Sequence, residues 1–321
     1  MADGNEYSIA LWGPTSSGKT WFVHAFAKKL AVDYMDDVNF SYEIRDAITG
    51  NPVPASPPEI DGTRTMYDVP WIFRRLPKID TEAHRISQFE HLVNVRDDKG
   101  ASTVGLMDID NEMSKINIIN SDYILLMLDP IQTQAAAQYS KISTSPQDEI
   151  ETLQDSVTSP LSDNSIGDDK PLSSSEYVDK VVELFNTLVN EGQNRHYHVA
   201  VCITKVDQLG VRQRDPWEII QIFFGRQMYA ALKQYQNLAQ FTLETFSTSA
   251  FGFLGNQANY DVGGLKNKEH WMPYNVEAPL FWLFEKVERG RLLNTASGSI
   301  GLKVFGQDRQ KMYIPYEIKR K

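Results

Sequence analysis

The stretch GPTSSGKT, residues 13–20, fills the template G-x-x-x-x-G-K-[ST]. An apolar strand, Tyr7 to Leu11, precedes it, and a stretch with apolar residues at helical spacing, Lys19 to Ala31, follows it. In such a loop the backbone N–H groups converge on a phosphate, and the following helix adds the positive end of its dipole. The sequence therefore predicts a phosphate-binding loop, in which Lys19 contacts the β- and γ-phosphates and the Thr20 hydroxyl binds magnesium.

The same template predicts which loop residues bind the nucleotide. They are Gly13, Thr15, Ser16, Ser17, Gly18, Lys19 and Thr20, with the backbone N–H of Trp21. The indole rings of Trp12 and Trp21, on either side of the loop, are expected to pack against other side chains rather than to stack on a base.

The composition excludes several classes of protein. With 41% hydrophobic and 23% charged residues, the chain is neither collagen-like nor wholly disordered. The net charge of -10 argues against nucleic-acid binding, which depends on clustered Lys and Arg. Cys202 is the only cysteine, so no disulfide or cysteine zinc cluster is expected. No secretory signal is visible, and the longest apolar run, Tyr123 to Leu128, is too short to cross a membrane, so we expect a cytoplasmic protein.

Strands and helices alternate along the chain. Strands are predicted at 123–128, 197–203 and 241–246, and helices at 176–190, 216–236 and 276–289. Strands at about 86–95 and 101–107 are expected to form an antiparallel hairpin around Asp97-Asp98-Lys99-Gly100, a composition suited to a tight turn. This alternation predicts an α/β fold with a mostly parallel sheet and helices on both faces.

Two segments interrupt the alternation. Prolines break regular structure from about 46 to 77, except for a short strand at Trp71–Leu76, and a connection of this length is expected to be functional. Residues from about 140 to 175 are rich in Ser, Asp, Thr and Pro, which predicts a disordered acidic insertion. We expect one domain over residues 1–292 and a tail over 293–321.

Thr204-Lys205-Val206-Asp207 directly follows the predicted strand at 197–203. A carboxylate such as Asp207 can accept the ring N–H and the exocyclic amine of guanine together, while the Lys205 stem lies across the base. The segment looks like the guanine-recognition motif [NT]-K-x-D of translation-factor-related GTPases. Ser249-Ala250, after the strand at 241–246, is similar to the element whose backbone N–H groups contact the guanine carbonyl in those proteins.

In this order, the three motifs resemble a Ras-like or translation-factor-related P-loop GTPase, and more narrowly the divergent bacterial double-GTPase proteins. The resemblance implies a three-layer fold with a mostly parallel six-stranded sheet and one antiparallel edge strand. It also implies GTP or GDP with Mg²⁺ as ligands. Loops that order around the γ-phosphate would act on a protein effector or assembly partner.

The resemblance also implies three switch residues. Thr63, with Thr65 as the alternative, closes over the magnesium and the γ-phosphate. Asp108 holds the magnesium through water, and Asp110 offers another carboxylate. Glu112 stands where Ras-type proteins carry the glutamine that orients the attacking water.

The function expected from these motifs is a switch that hydrolyses GTP slowly, with Lys19, Thr63 and Glu112 as the catalytic residues. The sequence departs from the family pattern D-x-x-G, because Asn111 stands in place of the glycine. The alternative is therefore a nucleotide-binding scaffold without useful turnover. A P-loop kinase would need an arginine-bearing lid and an acceptor site, and the sequence shows neither.

Overall fold

A seven-stranded sheet forms the centre of the chain. The computed structural model describes residues 8–13, 17–37, 40–46, 49–58, 67–77, 89–97, 118–121, 123–136, 174–192, 195–210, 214–255, 257–261 and 264–296. The strands of the sheet are β1 (Ser8–Trp12), β2 (Phe40–Asp46), β3 (Tyr67–Pro77), β4 (Phe89–Asp97), β5 (Tyr123–Leu128), β6 (Tyr197–Ile203) and β7 (Phe241–Ser247).

The helices lie mainly in the second half of the chain. They are α1 (Lys19–Asp33), α2 (Ser174–Glu191), α3 (Pro216–Ile219), α4 (Gly225–Gln236) and α5 (Glu277–Ala296). A π-helical turn, Ile220–Phe224, joins α3 to α4, so the helix predicted at 216–236 has the expected ends but an irregular middle. Among the described helices, none is long and apolar enough to cross a bilayer.

The strands are ordered β2-β3-β4-β1-β5-β6-β7. Four parallel pairings join the strands from β4 to β7, and antiparallel pairings join β3 to both β2 and β4. The resemblance implied six strands with one antiparallel edge strand. The sheet instead has seven, and the reversed strand β3 is second from the edge because β2 pairs outside it.

The strand β3 lies where prolines predicted mainly irregular structure, and it is longer than the expected Trp71–Leu76. Pro70 lies within it and pairs with Asn94 of β4. The pairing with β2 ends at Trp71, so Pro70 has a strand neighbour on one side only. Proline is tolerated there because no second strand requires its missing N–H.

The hairpin predicted between β4 and residues 101–107 is wrong. Both edges of β4 are occupied, since β3 pairs with it along its full length and β1 pairs with Leu92 to Val95. Along Leu92 to Val95 both edges of β4 are therefore paired with other strands. Residues 101–107 lie outside the described part of the chain. The turn-forming composition of residues 97–100 was compatible with a hairpin but did not require one.

Helices cover both faces of the sheet. One core contains Leu126, Phe185 of α2 and Leu232 of α4, and the other contains Leu125, Phe26 of α1 and Phe284 of α5. All six residues of β5 are buried, as its uninterrupted apolar run predicted. The predicted α/β fold with helices on both faces is therefore confirmed.

The strand β1 has β4 on one side and β5 on the other. The chain runs from β1 to strands on the β4 side before it returns to β5. In doubly wound sheets ligands bind where the strand order reverses, at the carboxyl ends of the strands. That point is the loop that starts at Gly13.

Candidate functional site

Gly13 lies directly against β5. A Cβ atom at this position would stand 2.8 Å from Met127 Cβ and 2.9 Å from Met127 O, closer than such atoms approach in proteins. Only glycine therefore fits at the start of the predicted phosphate loop. Ser17, Gly18 and Lys19 are also described, whereas residues 14–16 and the side chain of Thr20 lie outside the described part. The predictions for Thr15, Ser16 and Thr20 stay predictions.

The structure brings Lys19 and Ser17 to this glycine. Lys19 Nζ donates to Gly13 O at 3.1 Å, and the residue is only 5% exposed. Ser17 is buried, and its Oγ has no hydrogen-bond partner in the part of the chain that the structure describes. A buried hydroxyl without a partner is costly unless a ligand satisfies it. Gly13, Ser17 and Lys19 therefore lie together, and the Ser17 hydroxyl among them lacks a hydrogen-bond partner in the described chain.

Thr204 and Lys205 follow β6 at the same edge of the sheet. The Thr204 N–H donates to Leu128 O at 2.8 Å, and its Oγ1 donates to the same oxygen at 3.2 Å. Lys205 has a left-handed φ of 56°, and its Nζ lies 2.6 Å from Asp129 Oδ2. Thr204 thus ties the segment to the end of β5, and Asp129 holds the Lys205 ammonium.

Asp129 is a site residue that the sequence analysis missed. It directly follows β5, is fully buried, and accepts hydrogen bonds from the Ile131 N–H at 3.0 Å and Gln132 Nε2 at 3.1 Å. The available signal was its position: it ends an apolar strand, as Thr204 does. Because β5 and β6 are parallel neighbours, their carboxyl ends meet at one edge of the sheet.

Asp207 is 2% exposed. Neither of its carboxylate oxygens accepts a well-aligned hydrogen bond from the described residues. Burial raises the pKa of Asp207 to about 6, although the nearby Ser249 hydroxyl, backbone amides and the Lys205 charge oppose part of the rise. At neutral pH this carboxylate is mostly ionised and buried, and such a group requires donors.

The Ser249-Ala250 element follows β7 and is paired with Tyr274. The Ser249 N–H donates to Tyr274 O at 2.9 Å, and the Tyr274 N–H donates to Ser249 O at 2.8 Å. The Ser249 N–H is therefore engaged within the chain, and the predicted contact of this element with the guanine carbonyl stays a prediction. The Ala250 N–H makes no hydrogen bond to the residues that the structure describes, so it is the donor that remains.

The predicted switch residues lie outside the described ranges. They are Thr63, Thr65, Asp108, Asp110, Asn111 and Glu112. Their roles stay predictions. Within the described ranges, no group of three or more His, Cys, Asp or Glu residues could hold a metal ion. A magnesium ion bound mainly through phosphates and one or two side chains needs no such group.

Asp97, at the end of β4, is a further candidate aspartate that the sequence motifs did not single out. Val95 pairs with Leu11, and Asp97 and Gly13 each lie two residues further along their strands. The Asp97 backbone is therefore level with the start of the phosphate loop. Residues 97–100 read D-D-K-G, which fits the pattern D-x-x-G that the segment after Asp108 does not. The signal was present in the sequence but had been interpreted as a hairpin turn.

No protein-family model and no curated protein matches this chain. Solved structures that it resembles include GTP-binding proteins. They include the signal recognition particle receptor SRb-GTP/SRX complex from Chaetomium thermophilum, at 14% identity and a TM-score of 0.40 over 78% of this chain and 93% of that one. The putative nucleolar GTP-binding protein 1 from Plasmodium falciparum has 11% identity and a TM-score of 0.34 over 92% and 97%.

A third similar structure is the S. cerevisiae Ski7 GTPase-like domain bound to GTP, at 12% identity and a TM-score of 0.36 over 88% of this chain and 50% of that one. TM-scores of 0.34 to 0.40 establish no family membership. The function is therefore inferred from the residues of this chain.

Proposed function

We propose that this chain binds GTP and GDP at the carboxyl ends of β1, β5 and β6. Asp207 carries the proposal, because it is a buried carboxylate without a well-aligned donor in the described chain. Guanine presents its ring N–H and exocyclic amine side by side and so satisfies both oxygens, whereas adenine does not. Neighbouring strands are about 4.8 Å apart, so the loops after β1 and β6 are separated by roughly 10 Å, which a nucleotide can span.

The phosphates are proposed to lie in the loop of residues 13–20. Ser17 supplies the unmet hydroxyl, and Lys19 exchanges its contact with Gly13 O for the β- and γ-phosphates. Magnesium, when bound, neutralises charge on these phosphates. The Thr20 hydroxyl and one aspartate are proposed to hold it, and the aspartate is either Asp97 or Asp108.

Calorimetry with GTP and ATP tests the base assignment. We expect GTP to bind and ATP to bind far more weakly. Asp207→Asn should weaken GTP binding by about 100-fold or more, since hydrogen bonds to a charged group contribute about 1.5–3 kcal/mol each. The same change should favour xanthosine triphosphate, which presents an oxygen where guanine has the amine. Asp215→Asn, at the exposed start of α3, is the matched control and should change neither affinity.

Equal or tighter binding of ATP by the wild-type chain would contradict the guanine assignment. A loss of GTP affinity in Asp207→Asn without a gain for xanthosine triphosphate would show that the carboxylate supports the fold rather than the base.

We further propose that bound GTP is hydrolysed slowly and that its γ-phosphate orders loops that act on a protein effector or assembly partner. Lys19, Thr63 and Glu112 are the proposed catalytic residues, with Thr65 as the alternative to Thr63. Transition-state charge on the phosphates is stabilised chiefly by Lys19 and the metal. The departure at Asn111 keeps a second proposal open, a nucleotide-binding scaffold without turnover.

Single-turnover hydrolysis in the presence of Mg²⁺ separates these two proposals. A GTPase should lose about 100-fold or more of its rate in Lys19→Ala, because one charged group that stabilises the transition state is worth about 3 kcal/mol or more. Asp97→Ala and Asp108→Ala identify the metal aspartate, since only the residue that holds the ion should raise the Mg²⁺ concentration needed. A wild-type rate no faster than that of Lys19→Ala would favour the scaffold.

A further inference from the structure

The two peptide groups that flank Ala250 are both fixed by the segment Trp271–Asn275. On one side the Tyr274 N–H donates to Ser249 O at 2.8 Å, and on the other Trp271 Nε1 donates to Ala250 O at 2.7 Å. In a planar trans peptide the N–H points away from the C=O, so fixing Ser249 O also fixes the direction of the Ala250 N–H. The Ala250 N–H, which has no partner among the described residues, is therefore a hydrogen-bond donor with a fixed direction.

Aromatic packing holds this segment to the start of α1. Trp271 is 2% exposed, and its ring meets Trp21 edge-on with centroids 6.0 Å apart. Trp21 also packs against Phe251, with centroids 4.4 Å apart. Trp21 directly follows Thr20, the last residue of the phosphate loop. The ring cluster thus connects the phosphate loop to the Ser249-Ala250 element.

Gly252 allows the two backbones to approach closely. It forms a bridge with Met272, its φ is +77°, and a Cβ on it would overlap Met272 O. Its N–H donates to Ser249 Oγ at 2.7 Å. Asn275 adds a further tie, since its Nδ2 donates to Ser247 O at 3.0 Å. These contacts fix the segment from several directions.

We propose that Trp271 is a positioning residue for guanine recognition. Its indole N–H fixes the peptide group that follows Ala250, and its buried ring anchors the segment whose Tyr274 N–H orients the peptide group that carries the Ala250 N–H. The Ala250 N–H is thereby aimed at the guanine O6, while Asp207 accepts the ring N–H and the amine. The inference rests on the proposed guanine site and assigns a role to the long connection between β7 and α5. That connection sets base specificity in addition to joining two elements.

The test uses nucleotides that differ at one group of the base. In 6-thio-GTP a sulfur, which is a weak acceptor, replaces O6, while inosine triphosphate lacks the exocyclic amine. Trp271→Phe keeps an aromatic ring beside Trp21 but removes the N–H. GTP affinity should fall about fivefold, equivalent to about 1 kcal/mol for one hydrogen bond, while 6-thio-GTP affinity should hardly change. The preference for GTP over inosine triphosphate should persist.

Trp282→Phe is the matched control. Trp282 lies on α5, where its ring packs against Phe246 and His198. This change should leave all three affinities as they are. Equal losses of GTP and 6-thio-GTP in Trp271→Phe would overturn the positioning role. A wild-type chain that does not prefer GTP over inosine triphosphate and ATP would instead overturn the guanine assignment itself.

Hydrogen exchange of the wild-type chain decides the matter if Trp271→Phe does not fold. The Ala250 amide should exchange more slowly with GTP bound than with 6-thio-GTP bound. The same exchange rate with both nucleotides would overturn the proposal.

Discussion

At the residue scale, burial of the Asp207 carboxylate reduces the stability of the fold at neutral pH. Its pKa of about 6 lies above the ordinary 3.8, so the folded chain binds this proton more tightly than the unfolded chain. Its contribution to stability is therefore complete below pH 3.8 and is lost as the pH rises through about 6. At neutral pH the buried, ionised carboxylate lowers the free energy of unfolding of the nucleotide-free chain.

We accordingly expect Asp207→Asn to stabilise the nucleotide-free chain at pH 8 by about 1–3 kcal/mol, and by less at pH 4.5, because a shift of one unit in pKa corresponds to about 1.4 kcal/mol. Urea unfolding at the two pH values measures the difference. Asp215→Asn is the comparison, because it removes a carboxylate from an exposed position at the start of α3. If Asp207→Asn gains the same stability at both pH values, the raised pKa of Asp207 is not the cause.

Some residues of the candidate site could be named from the sequence and others could not, for a physical reason. Lys19 and Asp207 were named because their motifs have fixed local spacing beside strands. Asp129 and Trp271 were not, because each acts through a tertiary contact: Asp129 holds Lys205, and Trp271 holds Ala250. No local pattern specifies such contacts. The pairing of Ser249 with Tyr274 was not visible for the same reason, since Tyr274 comes much later in the chain.

At the element scale, α2 supports the site from its own side of the sheet. The Asp129 N–H donates to the hydroxyl oxygen of Tyr177 at 3.0 Å, and Tyr177 is 1% exposed. Burial, with the Asp129 charge as a lesser cause, raises the pKa of Tyr177 well above its ordinary value. The hydroxyl therefore stays neutral, and α2 is joined to the residue that holds Lys205.

Tyr177→Phe should destabilise the chain by about 1–3 kcal/mol, because it leaves the buried Asp129 N–H without an acceptor. Tyr235→Phe is the comparison: that hydroxyl donates to the exposed Asn186 at 3.0 Å, and water can replace it, so a loss below about 1 kcal/mol is expected. Urea unfolding of both variants provides the measurement. Losses of the same size would indicate that Asp129 does not depend on Tyr177.

The predicted boundaries of an element were most accurate where its sequence pattern was strongest. The strands β5 and β6 were predicted with their exact residues, since each is an apolar run covered on both faces. The strand β2 was not predicted, and β3 was predicted only in part. Proline normally indicates irregular structure, and the pairing that accommodates Pro70 depends on where β2 ends.

At the scale of the whole molecule, alternation of strands and helices predicted the α/β class and the helices on both faces, because burial of two sheet faces leaves few other arrangements. Strand number and order could not be obtained in this way, since they depend on pairings between distant residues. The single domain over 1–292 stays a proposal, as do the insertion at about 140–175 and the tail from 293. The last helix, α5, continues to Ala296.

The bridge between Ser249 and Tyr274 has a consequence for protein synthesis. The phosphate loop leaves the ribosome first, but the site is complete only when Tyr274 has followed, about 260 residues later. At roughly 5–20 residues per second, this interval is on the order of 10 to 50 seconds. During that time the nascent chain carries Gly13 and Lys19 without the residues that complete the pocket. A nucleotide that needs both halves of the proposed site would therefore bind only after this interval.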